Sequence, residues 1–257
     1  MKYSHALFLI VIISVLNPGC STLQLNSSYD DKVVIDGIDT EWSNKTRYIE
    51  DENILLGIMN DDSFIYVFFA SNDDRMKRQI FMRGLTVWFD PGGGSDEVFG
   101  IKFPVGVENP LMMMTEPGRR PPDSLHMFDK MKENLNELEI IGPQENARFR
   151  VDALGSKGVK AAINESGNRL VYELRVPLVR NDKYYFAVNP EPGSDIGVGV
   201  VLNKFEGPGF SSNGGMRPNG GFGGGGRRPP EGAPGFERGA SIDLEVWTNV
   251  KLASDKN

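Results

Sequence analysis

Few side chains in this sequence have the chemistry to break bonds. There is one cysteine, Cys20, and there are two histidines, His5 and His126. A serine or cysteine triad needs a base and an orienting group beside its nucleophile. Only His126 remains as a base once the leader around His5 is set aside, and no Gly-x-Ser-x-Gly elbow occurs. Zinc held by His and Cys fails on number. Acids are plentiful, so composition alone permits a carboxylate pair for glycoside hydrolysis, but no spacing draws two together. No catalytic residue is assigned, and the chain reads as a non-enzyme.

Binding chemistry is better represented. Side chains alternate across a strand, so the apolar residues of Leu85–Asp90 and Ile242–Leu252 define an inward face in each. Trp88 then shares the outward face with Thr86 and Asp90. Trp247 shares its outward face with Asp243, Glu245, Asn249 and Lys251. A tryptophan on a polar strand face is a stacking platform for a pyranose ring, and a neighbouring carboxylate fixes the hydroxyls. The expected ligand residues are Trp88, Asp90, Trp247 and Glu245. The competing expectation is that loops or the helix cover both rings and make a second small core. Asp90, Asp96 and Glu97 also stand around a glycine-rich turn, where hard oxygen ligands suit a structural calcium ion; a plain hairpin explains the same residues. Met112–Met114 could offer thioethers to a soft metal, but three methionines in a loop more commonly make an adaptable surface.

The net charge is −7, which repels a phosphate backbone and argues against nucleic acid as a partner. Arg217, Arg227, Arg228 and Arg238 lie in a glycine tract of the kind found in RNA-binding segments, but export and acidity oppose that use. Lys2 followed by the apolar run Ala6–Leu16 has signal-peptide proportions, and the run is too short to span a bilayer. Gly19 directly before Cys20 is similar to a lipoprotein processing site, although Asn17 and Pro18 depart from its usual aliphatic residues. The expectation is a signal peptide over 1–19, lipid on Cys20 and a polar tether over 20–31. Ser21, rather than an aspartate, points to the outer membrane by similarity to Gram-negative lipoproteins. An ordinary signal peptide with an incidental cysteine is the alternative.

The remainder, 32–252, reads as one β domain. Short apolar or alternating runs predict strands near Lys32–Ile35, Ile54–Met59, Phe64–Ala70, Leu85–Asp90, Val98–Phe103, Arg148–Ala153, Val159–Ile163, Leu170–Val176, Tyr184–Val188, Gly197–Phe205 and Ile242–Leu252. Asn60–Ser63 and Asn164–Asn168 predict tight hairpins. Helices are expected over Asp73–Phe81 and, on three- and four-residue apolar steps, over Asp123–Leu138. Insertions occupy 104–138 and the glycine-rich 207–239. The strict alternation of Ile242–Leu252 makes the second a loop between strands of one domain. The expected fold is an all-β, antiparallel, jelly-roll-like sandwich with one or two short helices.

Val34–Trp42, reading VIDGIDTEW, resembles the "DG-x-x-x-EW" opening of the carbohydrate-binding family 9-like domains. Asn53–Ala70, LTVWFDP at Leu85–Pro91 and YELRVPL at Tyr172–Leu178 are similar to later strands of that family, in family order. The resemblance implies a β-sandwich that binds sugar, or in related DOMON-type domains haem. His126, expected on a helix, is a poor haem ligand. Physically, Gly37 permits a turn, Trp42 can plug one end of a sandwich, and Asp36 and Glu41 can accept backbone N–H bonds. Two functions are carried forward: a glycan-binding envelope lipoprotein, and a structural lipoprotein whose loops contact another envelope protein.

Overall fold

The computed structural model describes residues 23–107, 135–144, 147–155, 157–204 and 242–255. Thirteen strands and one α-helix are found among them: β1 Leu23–Asn26, β2 Ser28–Tyr29, β3 Thr46–Ile49, β4 Ile54–Asn60, β5 Phe64–Ser71, α1 Asp74–Arg83, β6 Leu85–Asp90, β7 Phe99–Lys102, β8 Glu137–Ile141, β9 Arg148–Asp152, β10 Lys160–Ser166, β11 Arg169–Pro177, β12 Ile196–Leu202 and β13 Glu245–Lys251. They form a β-sandwich. One sheet runs β1-β13-β12-β6-β7-β8-β9; the other runs β10-β11-β5-β4-β2, with β3 also on β4.

Alternation explains why these segments stack. Leu85, Val87 and Phe89 of β6 and Ile196, Val198 and Val200 of β12 are fully buried. Facing them are Ile65, Val67 and Phe69 of β5 and Leu170, Leu174 and Val176 of β11, all in the same apolar core. Burying one such side chain stabilises by about 1.5–3 kcal/mol, so the two inward stripes are sufficient reason for the sheets to close. Helix α1 carries the chain from β5 to β6, between sheets, and sends Met76, Ile80 and Phe81 into the core. Asp73 caps it by accepting N–H bonds from Arg75 and Met76.

Several expectations are corrected. Two edge pairings are parallel, β1 with β13 and β2 with β4, so the sheets are mixed. Leu23–Asn26 and Ser28–Tyr29, expected as tether, are strands: Leu23 pairs with Thr248 and Asn26 with Lys251 in one sheet, Ser28 with Met59 in the other. Ser27 Oγ donates to Asn60 Oδ1 at 2.5 Å and accepts from Ala253 N at 2.7 Å, which ties this segment to both sheets. Lys32–Ile35 and Tyr184–Val188 form no ladder, and Glu137 and Leu138 lie in β8, not at a helix end. β3 was not expected at all. Cys20, His126, Met112–Met114, most of the expected second helix and residues 207–239 lie outside the described residues. The final segment does slot in: β13 pairs antiparallel with β12, Val200 opposite Val246.

A third layer covers part of the second sheet. The stretch 33–45 crosses its outer face and buries Ile35 and Trp42 against Met59, Tyr66, Phe68 and Val171. Trp42 therefore covers a sheet face and does not plug an end of the sandwich. A Cβ on Gly57 would come within 2.9 Å of the Trp42 ring, so glycine makes room for the indole. Trp42 Nε1 donates to Glu173 Oε1 at 2.7 Å, and the other oxygen accepts from Gly37 N at 2.6 Å and Asp36 N at 2.9 Å. Gly37 turns at φ 81°, where a side chain would be strained and would strike Asn164. Asp36 accepts a backbone bond from Ile38 N, as expected, whereas Glu41 accepts from the Thr40 hydroxyl. The opening motif and the late YELRVPL strand thus meet at one buried carboxylate.

Candidate functional site

The outward face of the seven-stranded sheet brings the two remaining tryptophans into one row. Gly199 of β12 lies opposite Trp247 of β13 on one side and Trp88 of β6 on the other. Trp88 in turn lies opposite Gly100 of β7. Cross-strand partners project to the same face, so the row reads Trp247, Gly199, Trp88, Gly100. With strands about 4.8 Å apart, the two tryptophan Cα atoms stand roughly 10 Å from each other.

Glycine at the alternate positions has a steric reason. A Cβ on Gly199 would meet Trp247 Cε2 at 2.7 Å, and one on Gly100 would meet Trp88 Cζ3 at 2.6 Å. Each indole therefore lies over the bare backbone of the next strand, both leaning the same way. Both rings are half-buried. The arrangement is a pair of aromatic surfaces laid along a sheet, with the floor cleared for them by glycine.

The polar neighbours divide. Glu245 is exposed and accepts from Trp247 Nε1 at 3.3 Å, so it lies on the same outward face as that ring. Asp90 is buried and already engaged: Oδ1 accepts from Gly92 N at 2.9 Å and Oδ2 from Asp96 N at 3.0 Å. Its carboxylate pins the turn after β6, so the structure places it as a loop support rather than a free ligand anchor. Asp96 and Glu97 are exposed, and no three Asp, Glu, His or Cys side chains converge as a metal site among the described residues. Thr86 is covered by Asn203, whose Oδ1 accepts its hydroxyl at 2.9 Å. Among the described residues, loops thus close over both flanks, at Thr86 and Asp90, and the rings between them stay part-exposed. Asn249, one step along β13, donates to Gly93 O at 2.6 Å and ties the same turn to the platform.

No family model matches the chain, and no curated protein does. Solved structures do. A carbohydrate binding module family 9 (CBM9) from Caldicellulosiruptor kristjanssonii in complex with glucose is 13% identical, over 70% of this chain and 78% of that one, with a TM-score of 0.34. The same organism's family 9 module in complex with cellotriose is also 13% identical, over 70% of this chain and 76% of that one, with a TM-score of 0.35. The chain is similar to family 9 modules, the group its opening motif resembles.

Sequence reasoning placed Trp88, Trp247 and Glu245 on outward faces. It missed the row, because register across β6, β12 and β13 is not written in any one strand. It also missed Glu173 as the partner of Trp42, although an acid in the middle of an apolar strand signals a buried, satisfied carboxylate.

Proposed function

We infer that this chain is a non-catalytic saccharide-binding module of the cell envelope, held to a membrane by lipid on Cys20. The row of Trp247, Gly199, Trp88 and Gly100 carries the reading. Two half-exposed indoles on one flat face offer stacking surface for pyranose C–H faces, and Glu245 stands beside them to accept hydroxyl bonds. The outer membrane is the proposed site, from Ser21 after the cysteine. The test is calorimetric titration of the lipid-free mature chain with glucose and cellotriose. Parent protein should bind, and Trp88→Ala with Trp247→Ala should weaken binding at least about tenfold, the scale of lost aromatic contact. Equal affinity in the folded double variant would sink the platform.

A second reading, protein partnership, draws on one observation. Phe149 on edge strand β9 is exposed and stacks with Phe186 at 5.4 Å, beside exposed Tyr185 under Arg180. An apolar, cationic edge of this kind suits another envelope protein. Crosslinking from a photoreactive residue at Phe149 that yields no partner, together with sugar binding, would discard it.

A further inference from the structure

The six-stranded sheet carries a second opening, on the other side of the molecule from Trp88 and Trp247. Where 33–45 leaves its outer face uncovered, three adjoining hollows of about 440, 340 and 160 Å³ meet at Arg169, which lines all three. Asp39 joins the first two and Asn72 links the second to the third. Leu55, Phe68 and Ala70, with the edge of Trp42, contribute apolar lining from β4, β5 and the overlying segment. Tyr48, 53% exposed, stands at one end and donates to Asn53 Oδ1 at 2.8 Å. Along the walls the lining is amide and hydroxyl, including Asn44, Ser43, Asn168 and Ser166.

This mixture has a chemical meaning. Arg169 Nη1 donates to Asp39 Oδ2 at 3.1 Å, and both side chains remain more than two-fifths exposed. The pair cancels in charge, so the furrow attracts neither an anion nor a cation strongly, which disfavours phosphates and acidic sugars. A guanidinium and a carboxylate side by side still present donors and acceptors to adjacent hydroxyls, and asparagine amides do the same. Part-exposed Leu55 and the exposed Tyr48 ring offer apolar surface to the C–H face of the same ring. The two larger hollows each fall within the size of small-molecule sites, and the smallest extends them.

We propose that this furrow is a second saccharide site, specific for neutral sugars and centred on Arg169, Asp39, Asn72 and Tyr48. It shares its ligand class with the tryptophan platform but none of its residues, so the two fail separately. The test uses isotopically labelled mature chain in the Trp88→Ala, Trp247→Ala background, titrated by NMR with glucose and then cellotriose. Saturable shifts of the Arg169 Nε–H and the Asn72 and Asn168 side-chain amides are expected. Tyr48→Ala should weaken them about tenfold, and Arg169→Ala should abolish the remaining shifts. Tyr48 is exposed, so its variant keeps the fold even if Arg169→Ala loosens the Asp39 contact. No saturable shift in the furrow up to tens of millimolar sugar overturns the proposal. So do shifts, in the parent chain, confined to the indoles of Trp88 and Trp247, an outcome that leaves the platform standing.

Discussion

Glu173 is the residue on which the outer layer turns. It is fully buried, and three N–H groups converge on its two oxygens. Burial lifts its carboxyl above the ordinary carboxylate range, against the pull of the Trp42, Gly37 and Asp36 donors. Between the ordinary carboxylate range and that raised position, the folded chain keeps a proton on Glu173 that the unfolded chain has released. Its contribution to stability is greatest at or below the ordinary carboxylate pKa and falls as pH rises through the raised one, then stays level. Glu173→Gln removes that titration and turns an N–H donor towards N–H donors. The variant should lose about 1–3 kcal/mol in urea unfolding. The parent's lead over it should narrow with rising pH across that window; a constant difference would refute the assignment. At the platform, Gly199→Ala sets a methyl 2.7 Å from Trp247. The indole must lift from its bed, so affinity for cellotriose should drop severalfold while the melting temperature shifts little, as read by calorimetry and thermal unfolding. Trp88 and Trp247 were legible as outward residues because alternation is a property of one strand. Gly199 and Gly100 were not recognised as their beds, because a glycine's use depends on the neighbour that register brings over it.

At the scale of elements, alternation reports which residues face a core and says less about whether the backbone pairs. Ile35 and Val188 are buried as their apolar runs require, yet neither belongs to a ladder. Conversely, LQLN of β1 is too polar to stand out and still pairs along four residues of β13. The apolar pair Leu135 and Leu138 lies at helical spacing, but Leu138 is drawn into β8 by pairing with Val151. Tertiary pairing overrode a weak local period. The importance of β1 can be measured. Asn60 is buried and receives the Ser27 hydroxyl and the Ala253 N–H on Oδ1, while its own amide donates to Asp61 O and Ala253 O. Asn60→Ala should cost about 2 kcal/mol, since it leaves buried donors and acceptors unpaired. It should also raise amide exchange in Leu23–Asn26 selectively. Uniform protection there, with unchanged stability, would show that the N-terminal strand is held by its ladder alone. Arg83, at the end of α1, donates to Asn203 O and Ile242 O and so fastens the ends of β12 and β13 beside each other.

For the molecule as a whole, direction matters as much as order. β1 runs the same way as β13, from the Thr248 end towards Lys251. The polypeptide therefore enters the sandwich at the end where β13 starts. Val107 bonds to Met82 beside that end, and Asn203 bonds to Gly84 there. With an acyl chain on Cys20, only two residues separate the anchor from the first paired strand, a reach of roughly 10 Å. Such a short leash would stand the strands upright on the bilayer and turn both broad sides outward like the faces of a signpost. Saccharide chains lying alongside the cell surface, rather than arriving end-on from above, are the ones this posture would meet.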